Sequence, residues 1–171
     1  LGIEADRVAW NVPFVRWESF DVAVIRSTWD YTVDVAAFLG WARRTSGMTR
    51  VFNPIEALEW NSDKHYLGEF SNKGISTVPT HYIDPGEPWQ VPDYDEYVIK
   101  PTESGGARNS GYFVRGRDDQ AAAALATEVL SPKCMVLDTP LATARALMVQ
   151  PYVARVDTRG DTSLMFLGNP F

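Results

Sequence analysis

Residues 97–111 read YVIKPTESGGARNSG, an apolar strand-like run that ends in Lys100-Pro101 and leads into a glycine-containing loop. A lysine at the end of a strand supplies a point charge, and glycines allow backbone N–H groups to close around an anion. The loop matches neither G-x-x-x-x-G-K-[ST] nor G-x-G-x-x-G, so a P-loop or a Rossmann fingerprint is not indicated. The stretch predicts a polyphosphate site, and the alternative is an exposed loop whose lysine only ends a strand.

Composition indicates a folded protein of one domain or two small ones. Of the 171 residues 45% are hydrophobic, including six Trp, seven Tyr and eight Phe, which is ample for a packed core. Sixteen basic and 22 acidic residues give a net charge of −6, which argues against sequence-independent binding to nucleic acid. A local basic site for a small phosphate remains compatible with this charge.

The sequence predicts a cytoplasmic protein with no membrane and no nucleic acid among its partners. The apolar runs are far shorter than the roughly 20 residues that span a bilayer, and no signal peptide is recognisable. The single cysteine, Cys134, excludes an internal disulfide and a cysteine metal cage, and fits a reducing compartment. Cys134 lies in an apolar run and is interpreted as a small core residue.

The first third of the chain alternates strand and helix patterns. Residues 21–25 predict a buried strand, residues 26–31 a polar and aromatic loop, and residues 35–44 an amphipathic helix with Phe38, Leu39 and Trp41 on its apolar side. This rhythm predicts a small α/β unit with parallel strands. The next predicted elements are a strand end at 51–54, stopped by Pro54, and a helix at 63–72 capped by Asn61 or Ser62 with Gly74 at C′. Further strands are predicted at 75–83, broken at Val78-Pro79, and at 97–100 and 111–115. The remaining predictions are a helix at 119–130 capped by Asp118, a strand at 146–153, and a turn at 158–161 into a strand at 162–167.

Four motifs occur in order: Asn61-x-x-Lys64, Lys100-Pro101 with its loop, Gln150-Pro151-Tyr152-Val153, and Gly160-Asp161-Thr162-Ser163-Leu164. Together they resemble the ATP-grasp superfamily, in its glutathione synthetase-like branch. The segments IRSTWDY (25–31), NPIEALEWNSDKHYL (53–67) and QPYVARVDTRGDTSLMFLG (150–168) resemble the group containing the O-ureido-D-serine cyclo-ligase of D-cycloserine biosynthesis. The resemblance covers residues 22–168.

This resemblance implies an α/β, in part α+β, ATP-grasp-like fold with three parts. Residues 1–60 would be a partial N-terminal α/β domain, residues 61–149 the central ATP-grasp subdomain with the phosphate loop, and residues 150–171 the hinge and the beginning of the C-terminal subdomain. The chain opens on Leu1 in the middle of a pattern and closes on a strand, so truncation at both ends is expected.

The resemblance also assigns residues to ATP. Lys64 and Lys100 would reach the phosphates, although without the family pattern Lys64 is better interpreted as an ordinary solvated helix lysine. The loop over the phosphates would contain Gly105, Gly106 and Gly111, with Ser104 and Ser110 as donors, and Arg108 either touches phosphate or faces water. The backbone of Gln150, Pro151, Tyr152 and Val153 would read the adenine edge, and these residues also fit a plain core strand. Asp161, in preference to Asp157, would hold the ribose.

The loop after the first predicted strand resembles the part of the family that helps to bind the acceptor substrate. Its candidate residues are Arg26, Ser27, Thr28 and Trp29, and Arg26 is suited to pair with a carboxylate. Ligands favour the carboxyl ends of strands, but a loop with a packed Trp29 that leads into a helix is the alternative. His65 and His81 are isolated and are interpreted as structural.

The implied activity is that of an ATP-dependent carboxylate–amine ligase, or an intramolecular cyclo-ligase, acting through an acyl phosphate. ATP and Mg²⁺ would be the cofactors, and the substrate a small, amino-acid-like carboxylate; a homo-oligomer is left open. The Mg²⁺ ligands are expected beyond residue 171, so no metal ligand or catalytic residue is assigned, and the chain alone is expected to be inactive. The alternatives are a degenerate nucleotide-binding module and a phosphotransferase of the same fold.

Overall fold

The computed structural model describes residues 2–132, 134–141, 143–160 and 162. Within these ranges the first unit pairs β1 (Val22–Val24) with β2 (Arg50–Phe52) in parallel, and α1 (Val35–Ser46) connects the two strands. The carboxylate of Asp34 accepts a hydrogen bond from the N–H of Ala37 at 2.8 Å and so caps α1. The predicted α/β unit with parallel strands is confirmed.

Helix α1 buries one side against an aromatic cluster. Phe38, Trp41 and Ala42 recur at helical spacing and are buried, whereas Leu39 is only partly buried. Trp17 meets Trp41 edge to face, with ring centroids 5.3 Å apart. The core of this unit therefore consists mainly of indole and phenyl rings.

The structure has two short helices between residues 55 and 72, where the sequence predicted a single helix at residues 63–72. Helix α2 (Ile55–Ser62) begins after Pro54, and α3 (Tyr66–Asn72) follows it. The prediction that Asn61 or Ser62 caps a helix was wrong, because both residues belong to α2, and Asp63 is extended (φ −112°, ψ 129°) and separates the two helices. Gly74 (φ +76°) takes the predicted C′ position after α3.

The larger sheet is antiparallel, with strand order β3-β8-β4-β5. Its strands are β3 (His81–Ile83), β4 (Glu96–Pro101), β5 (Gly111–Val114) and β8 (Leu147–Pro151). Helix α4 (Asp119–Val129) covers one face of this sheet, and a short hairpin of β6 (Met135–Val136) and β7 (Thr139–Pro140) follows α4. The main core contains Ile83, Tyr97, Ile99, Phe113, Ala122, Ala126, Val129, Cys134, Val136, Leu141, Leu147 and Val149.

Strands β4 and β8 each end in a proline, at a position where the strand pairs with a neighbour on one side only. The N–H of Thr102 donates to the oxygen of Ala146, and the N–H of Tyr152 donates to the oxygen of Glu96. Because hydrogen-bonded pairs alternate along an antiparallel ladder, Pro101 and Pro151 direct their nitrogens away from the β4–β8 ladder. The pairing of β4 with β5 ends before Pro101, and the pairing of β8 with β3 ends before Pro151. The sheet therefore loses no hydrogen bond because these prolines lack an N–H group.

Other boundaries differ from the predictions. The predicted break at Val78-Pro79 is confirmed, but only residues 81–83 after it form a strand, β3, and residues 75–77 before it do not. Asp118 precedes α4 as predicted, but its carboxylate accepts from the N–H of Val114 rather than capping the helix. The predicted turn at 158–161 is wrong for its first two residues, which lie in α5 (Arg155–Arg159). Of the strand predicted after it, residues 163–167 lie outside the described residues. Among the described residues, no helix is long and apolar enough to cross a membrane.

Candidate functional site

The antiparallel sheet has one core face and one open face. Along β4 the residues alternate, so that Tyr97 and Ile99 are fully buried while Val98 and Lys100 are partly exposed. The register places Tyr112 and Gln150 beside Val98, on the open face. A lysine, an amide and a phenol therefore share a face that α4 does not cover.

Lys100 lies near the end of β4, where the loop that is predicted to bind phosphate begins (residues 102–110, called the phosphate loop after this prediction). Its ammonium nitrogen is 3.5 Å from Oε1 of Gln150, and Nε2 of Gln150 donates to Oγ1 of Thr80 at 2.8 Å. Gln150 is only 6% exposed. The amide orientation is consistent with a buried Gln150 that presents its oxygen to Lys100.

Lys64 reaches the phosphate loop from the link between α2 and α3. Its ammonium group donates to the main-chain oxygens of Thr102 (3.1 Å) and Ser104 (2.8 Å) and to the Ser104 hydroxyl (3.0 Å). Burial lowers the pKa of Lys64, and the positive charges of Lys100 and Arg145 lower it further, against the opposing effect of Asp63. Lys64 is therefore a half-buried cation that is hydrogen-bonded to the loop, and its interpretation as an ordinary solvated lysine is wrong.

Sequence reasoning missed an ion pair on the other side of the same loop. Nη1 of Arg145 donates to the main-chain oxygen of Glu103 at 2.9 Å, and its Nε lies 3.5 Å from the Glu103 carboxylate. Burial raises the pKa of Glu103, and the neighbouring Arg145 opposes that rise. Arg145 stands alone in a run of small and apolar residues, and this was the one signal in the sequence that marked it.

The second half of the phosphate loop, at Arg108 and Asn109, is hydrogen-bonded to two other parts of the chain. Nη1 of Arg108 donates to the main-chain oxygen of Trp29 at 3.0 Å, and Nδ2 of Asn109 donates to that of Met135 at 3.2 Å. Gly106 and Ala107, with φ values of +65° and +57°, form the exposed tip between the two arms. The loop is thus held on both sides and open at its tip.

Gly111 lies in a different setting from Gly105 and Gly106. It is the first residue of β5, and a Cβ placed on it would lie 2.6 Å from Cζ of Phe113. A Cβ on Gly105 would meet ordinary contacts at 3.7 to 4.0 Å, all with Thr32, Trp29 and Tyr31. Packing therefore gives a sufficient reason for glycine at residue 111, and its role at phosphate stays a prediction.

The predicted acceptor loop lies beside the phosphate loop. Arg26, Ser27 and Thr28 line a cavity of about 580 Å³ that extends along β1 to Trp10 and Trp17. The loop leads into α1, as the alternative interpretation supposed, but Trp29 is 60% exposed and so is not packed. The role of this loop at a substrate stays a prediction. The main-chain oxygen of Trp29, bonded to Arg108, joins the two loops.

The predicted hinge follows the end of β8. The N–H of Tyr152 is bonded to the oxygen of Glu96, and Pro151 has no N–H. The Tyr152 hydroxyl donates to Asp157 at 2.5 Å, which raises the pKa of Tyr152 to about 12, and its ring centroid is 4.6 Å from that of Tyr112. Asp157 is thus engaged by a tyrosine, while Asp161, the favoured ribose ligand, lies outside the described residues.

His65 is not isolated, contrary to the sequence prediction. Its Nδ1 lies 2.7 Å from Oδ1 of Asp63, and its ring stacks on Tyr82 with centroids 4.3 Å apart. The Tyr82 hydroxyl donates to the main-chain oxygen of Lys64 at 3.0 Å. These contacts position the backbone that carries Lys64. Within the described ranges, no group of three His, Cys, Asp or Glu side chains is placed to hold a metal ion.

Comparison with known proteins identifies relatives for nearly the whole chain. Residues 1–53 match the family model of the N-terminal domain of D-cycloserine synthetase DcsG. The cycloserine biosynthesis protein DcsG of Streptomyces lavendulae is 29% identical over 175 residues, covering 97% of this chain and 54% of that protein. The chain thus spans about half the length of this curated relative.

Solved structures agree with the sequence match. The crystal structure of D-cycloserine synthetase DcsG superposes with a TM-score of 0.75 at 27% identity, over 93% of this chain and 52% of that one. D-Alanine-D-alanine ligase from Helicobacter pylori is a weaker match, 15% identical with a TM-score of 0.45, over 72% of this chain and 34% of that one. The resemblance predicted from the four motifs is confirmed: the chain is ATP-grasp-like and resembles the D-cycloserine synthetase group.

Proposed function

We propose that the intact protein is an ATP-dependent ligase that activates a carboxylate as an acyl phosphate. The observation that carries this proposal is the convergence of Lys64, Lys100 and the phosphate loop at one end of the open sheet face. The similarity to D-cycloserine synthetase supports the reaction class.

The open face suits an elongated ligand with an anionic end. The phosphate loop follows Pro101 and the hinge lies beside Glu96, so the two ends of the site are about 17 Å apart at the rise of an extended strand. A nucleoside triphosphate has this polarity, with phosphates at one end and a flat base at the other. We assign the phosphates to Lys100 and to the N–H groups of residues 105–107.

The hinge can read an adenine through its backbone. The Tyr152 N–H faces β4, and antiparallel alternation turns the Pro151 carbonyl to the opposite side, which β3 does not cover. The N–H of Val153 is the next amide along the chain. We assign the Pro151 oxygen as acceptor and the Val153 N–H as donor for the adenine edge, with Gln150 as the buried support of Lys100.

The chemistry requires positioning and charge neutralisation more than a protein nucleophile. A carboxylate at neutral pH is a poor electrophile, and transfer of the γ-phosphoryl group to it creates an acyl phosphate that an amine can attack with loss of phosphate. Bound Mg²⁺ would neutralise part of the triphosphate charge. Lys100 would stabilise charge on the phosphates, and the phosphate loop would hold the transferring group in place.

The acceptor is proposed to be a small, amino-acid-like carboxylate bound at Arg26, Ser27, Thr28 and Trp29. This loop borders the phosphate loop through the bond between Arg108 and Trp29, so a carboxylate held there would lie near the phosphates. Arg26 can bind a carboxylate through two parallel N–H donors. The resemblance to the cyclo-ligase group of D-cycloserine biosynthesis makes ring closure within one substrate molecule the reaction to test first.

Calorimetric titration of the full chain with Mg-ATP tests the nucleotide site. We expect binding by the wild type, loss of at least tenfold in affinity for Lys100→Met, and no change for Lys73→Met, an exposed lysine after α3. Release of ADP and phosphate by the intact protein, dependent on the acceptor, would support the ligase. Formation of a phosphorylated product without free phosphate would identify a phosphotransferase instead.

A further inference from the structure

Another cavity lies beside α1, and none of the residues predicted to bind ATP or the acceptor lines it. It has a volume of about 630 Å³ and lies between residues 10–17 and one side of α1. We call it the α1 cavity. It shares Trp10, Trp17 and Trp41 with the cavity of the acceptor loop. Pockets for small molecules have volumes of about 300–1,000 Å³ and largely apolar and aromatic walls, so this cavity has the size and the walls of a ligand site.

Two residues that line the α1 cavity each have a buried polar atom with no hydrogen-bond partner in the described part of the chain. These atoms are the indole Nε1 of Trp41 and the hydroxyl oxygen of Thr45, and the two residues are 9% and 1% exposed. Trp10 shows the contrast, since its Nε1 donates to Oδ1 of Asp30 at 3.0 Å. Buried polar groups are normally hydrogen-bonded, so the two atoms on α1 require an explanation.

A cation lies within one helical turn of both atoms. Nη1 of Arg44 would lie 3.4 Å from a Cβ placed on Gly40, so the guanidinium folds back along α1 over another residue of the lining. Within the described ranges this guanidinium has no hydrogen bond and no ion pair, whereas its neighbour Arg43 contacts Glu59 at 2.6 Å. One side of α1 therefore presents an indole N–H, a hydroxyl and a positive charge to the same cavity.

We propose that the α1 cavity is a second ligand site, which binds a small carboxylate with a flat apolar body. The carboxylate oxygens would accept hydrogen bonds from the Trp41 N–H and the Thr45 hydroxyl and would pair with the Arg44 guanidinium. The apolar body would pack against the rings of Trp10 and Trp17. This site goes beyond the proposed function, because it uses neither the phosphate loop nor the acceptor residues.

The polar groups of the lining select an anion that accepts hydrogen bonds. An indole N–H can only donate, and Arg44 is the one charged residue among the described residues of the lining. Because both unpartnered atoms are buried, the ligand has to enter between residues 10–17 and α1. Phe14, in this segment, is 98% exposed and has a φ of +66°, which is unusual for a bulky residue. The Phe14 ring therefore does not hold the segment closed against α1.

Titration of the full chain with phenylacetate tests the site. We expect saturable binding of one molecule by calorimetry, with a change in tryptophan fluorescence, because three of the six tryptophans line the cavity. Phenylacetamide keeps the ring and lacks the charge, so it should bind about tenfold more weakly. Equal affinity for the two compounds would overturn the proposal. Absence of saturable binding by both phenylacetate and the shorter benzoate would overturn it as well.

Matched arginine variants locate the bound carboxylate. Arg44→Met should weaken phenylacetate binding about tenfold, and Arg43→Met, which removes the same charge one position earlier, should leave it unchanged. Arg26→Met should also have no effect, because Arg26 lines only the cavity of the acceptor loop. Weaker binding in Arg26→Met with no effect of Arg44→Met would place phenylacetate in that other cavity and overturn the proposal.

Thr45→Val separates a role at the ligand from a role in the fold. Valine keeps the shape of threonine and removes a hydroxyl that has no partner in the described residues, so the melting temperature without ligand should equal or exceed that of wild type. Phenylacetate binding should nevertheless weaken, as it should in Trp41→Phe, which removes the indole N–H. A lower melting temperature, or unchanged affinity in both variants, would overturn the assignment of these two groups to a ligand.

The same titration of the intact protein decides what occupies the cavity there. Binding of phenylacetate with the same dependence on Arg44 would support the site. Binding by the full chain of 171 residues but not by the intact protein would mean that another part of the protein covers the α1 cavity, and would overturn the proposal.

Discussion

Arg145 and Glu103 are joined twice, once through the main-chain oxygen of Glu103 at 2.9 Å and once through its carboxylate at 3.5 Å. The arginine side chain is only 5% exposed and the glutamate side chain 31%. A buried guanidinium that loses its partners is costly, so this pair ties the stability of the protein to the position of the phosphate loop.

Replacement of the buried arginine is expected to destabilise the protein strongly. Arg145→Met leaves the Glu103 carboxylate without its partner and should lower the free energy of unfolding by about 2–4 kcal/mol. Urea denaturation measures this change. The matched control is Arg43→Met, whose partner Glu59 lies at the surface, with an expected loss of about 1 kcal/mol or less. Equal losses in both variants would contradict the structural role of Arg145.

The Glu103 carboxylate makes stability depend on pH in a defined direction. Burial raises its pKa in the folded protein above the unfolded value, so its stabilising contribution is complete below the unfolded pKa and is lost as the pH rises through the raised value. Glu103→Gln keeps a neutral side chain at every pH. The free energy of unfolding of wild type relative to Glu103→Gln should therefore be more favourable near pH 4 than at pH 8.

Denaturant titrations of Glu103→Gln and wild type at both pH values check this prediction. A constant difference between the two proteins would show that Arg145 offsets the effect of burial on the carboxyl pKa, and wild-type stability that grows with pH relative to Glu103→Gln would show that Arg145 outweighs it. Arg43→Met serves as a control for general effects of charge removal.

A side chain at Gly111 is expected to strain the core. The Cβ of Gly111→Ala would lie 2.6 Å from Cζ of Phe113 and 3.3 Å from Cδ2 of Leu125, and overpacking of this kind costs about 1–3 kcal/mol. Thermal unfolding measures the loss. Gly105→Ala is the matched control, because its Cβ meets only ordinary contacts. A stable Gly111→Ala protein with impaired ATP binding would favour a direct role at phosphate instead.

The centre of β4 should dominate the stability of the larger sheet. Ile99 is completely buried between β5 and β8, and Ile99→Ala is expected to cost about 2–5 kcal/mol, against about 0.5–1.5 kcal/mol for Ile99→Val. Chemical denaturation of the two variants gives the comparison. Similar small losses in both would mean that the core around Ile99 collapses into the space.

Local pattern was enough to predict many elements. Three examples are the alternation of buried residues around Tyr97 and Ile99, the helical spacing of Phe38 and Trp41, and the glycine after α3. Each depends only on residues a few positions apart in the chain. Helix α2 was missed because its start depends on Pro54, which was interpreted only as the end of a strand. The three-part domain division stays a prediction.

The candidate site likewise has features that follow from local sequence and features that depend on the tertiary structure. The sequence by itself determined the lysine beside a flexible loop, the order of the four motifs and the class of fold, because these depend on residue type and on neighbours in the chain. Only the tertiary structure decided that Lys64 bonds to residues 38 and 40 positions away, that Arg145 lies against Glu103, and that Gln150 faces Lys100 across β4 and β8. Such contacts depend on strand register and burial, and no local pattern encodes which distant residues a folded sheet brings together.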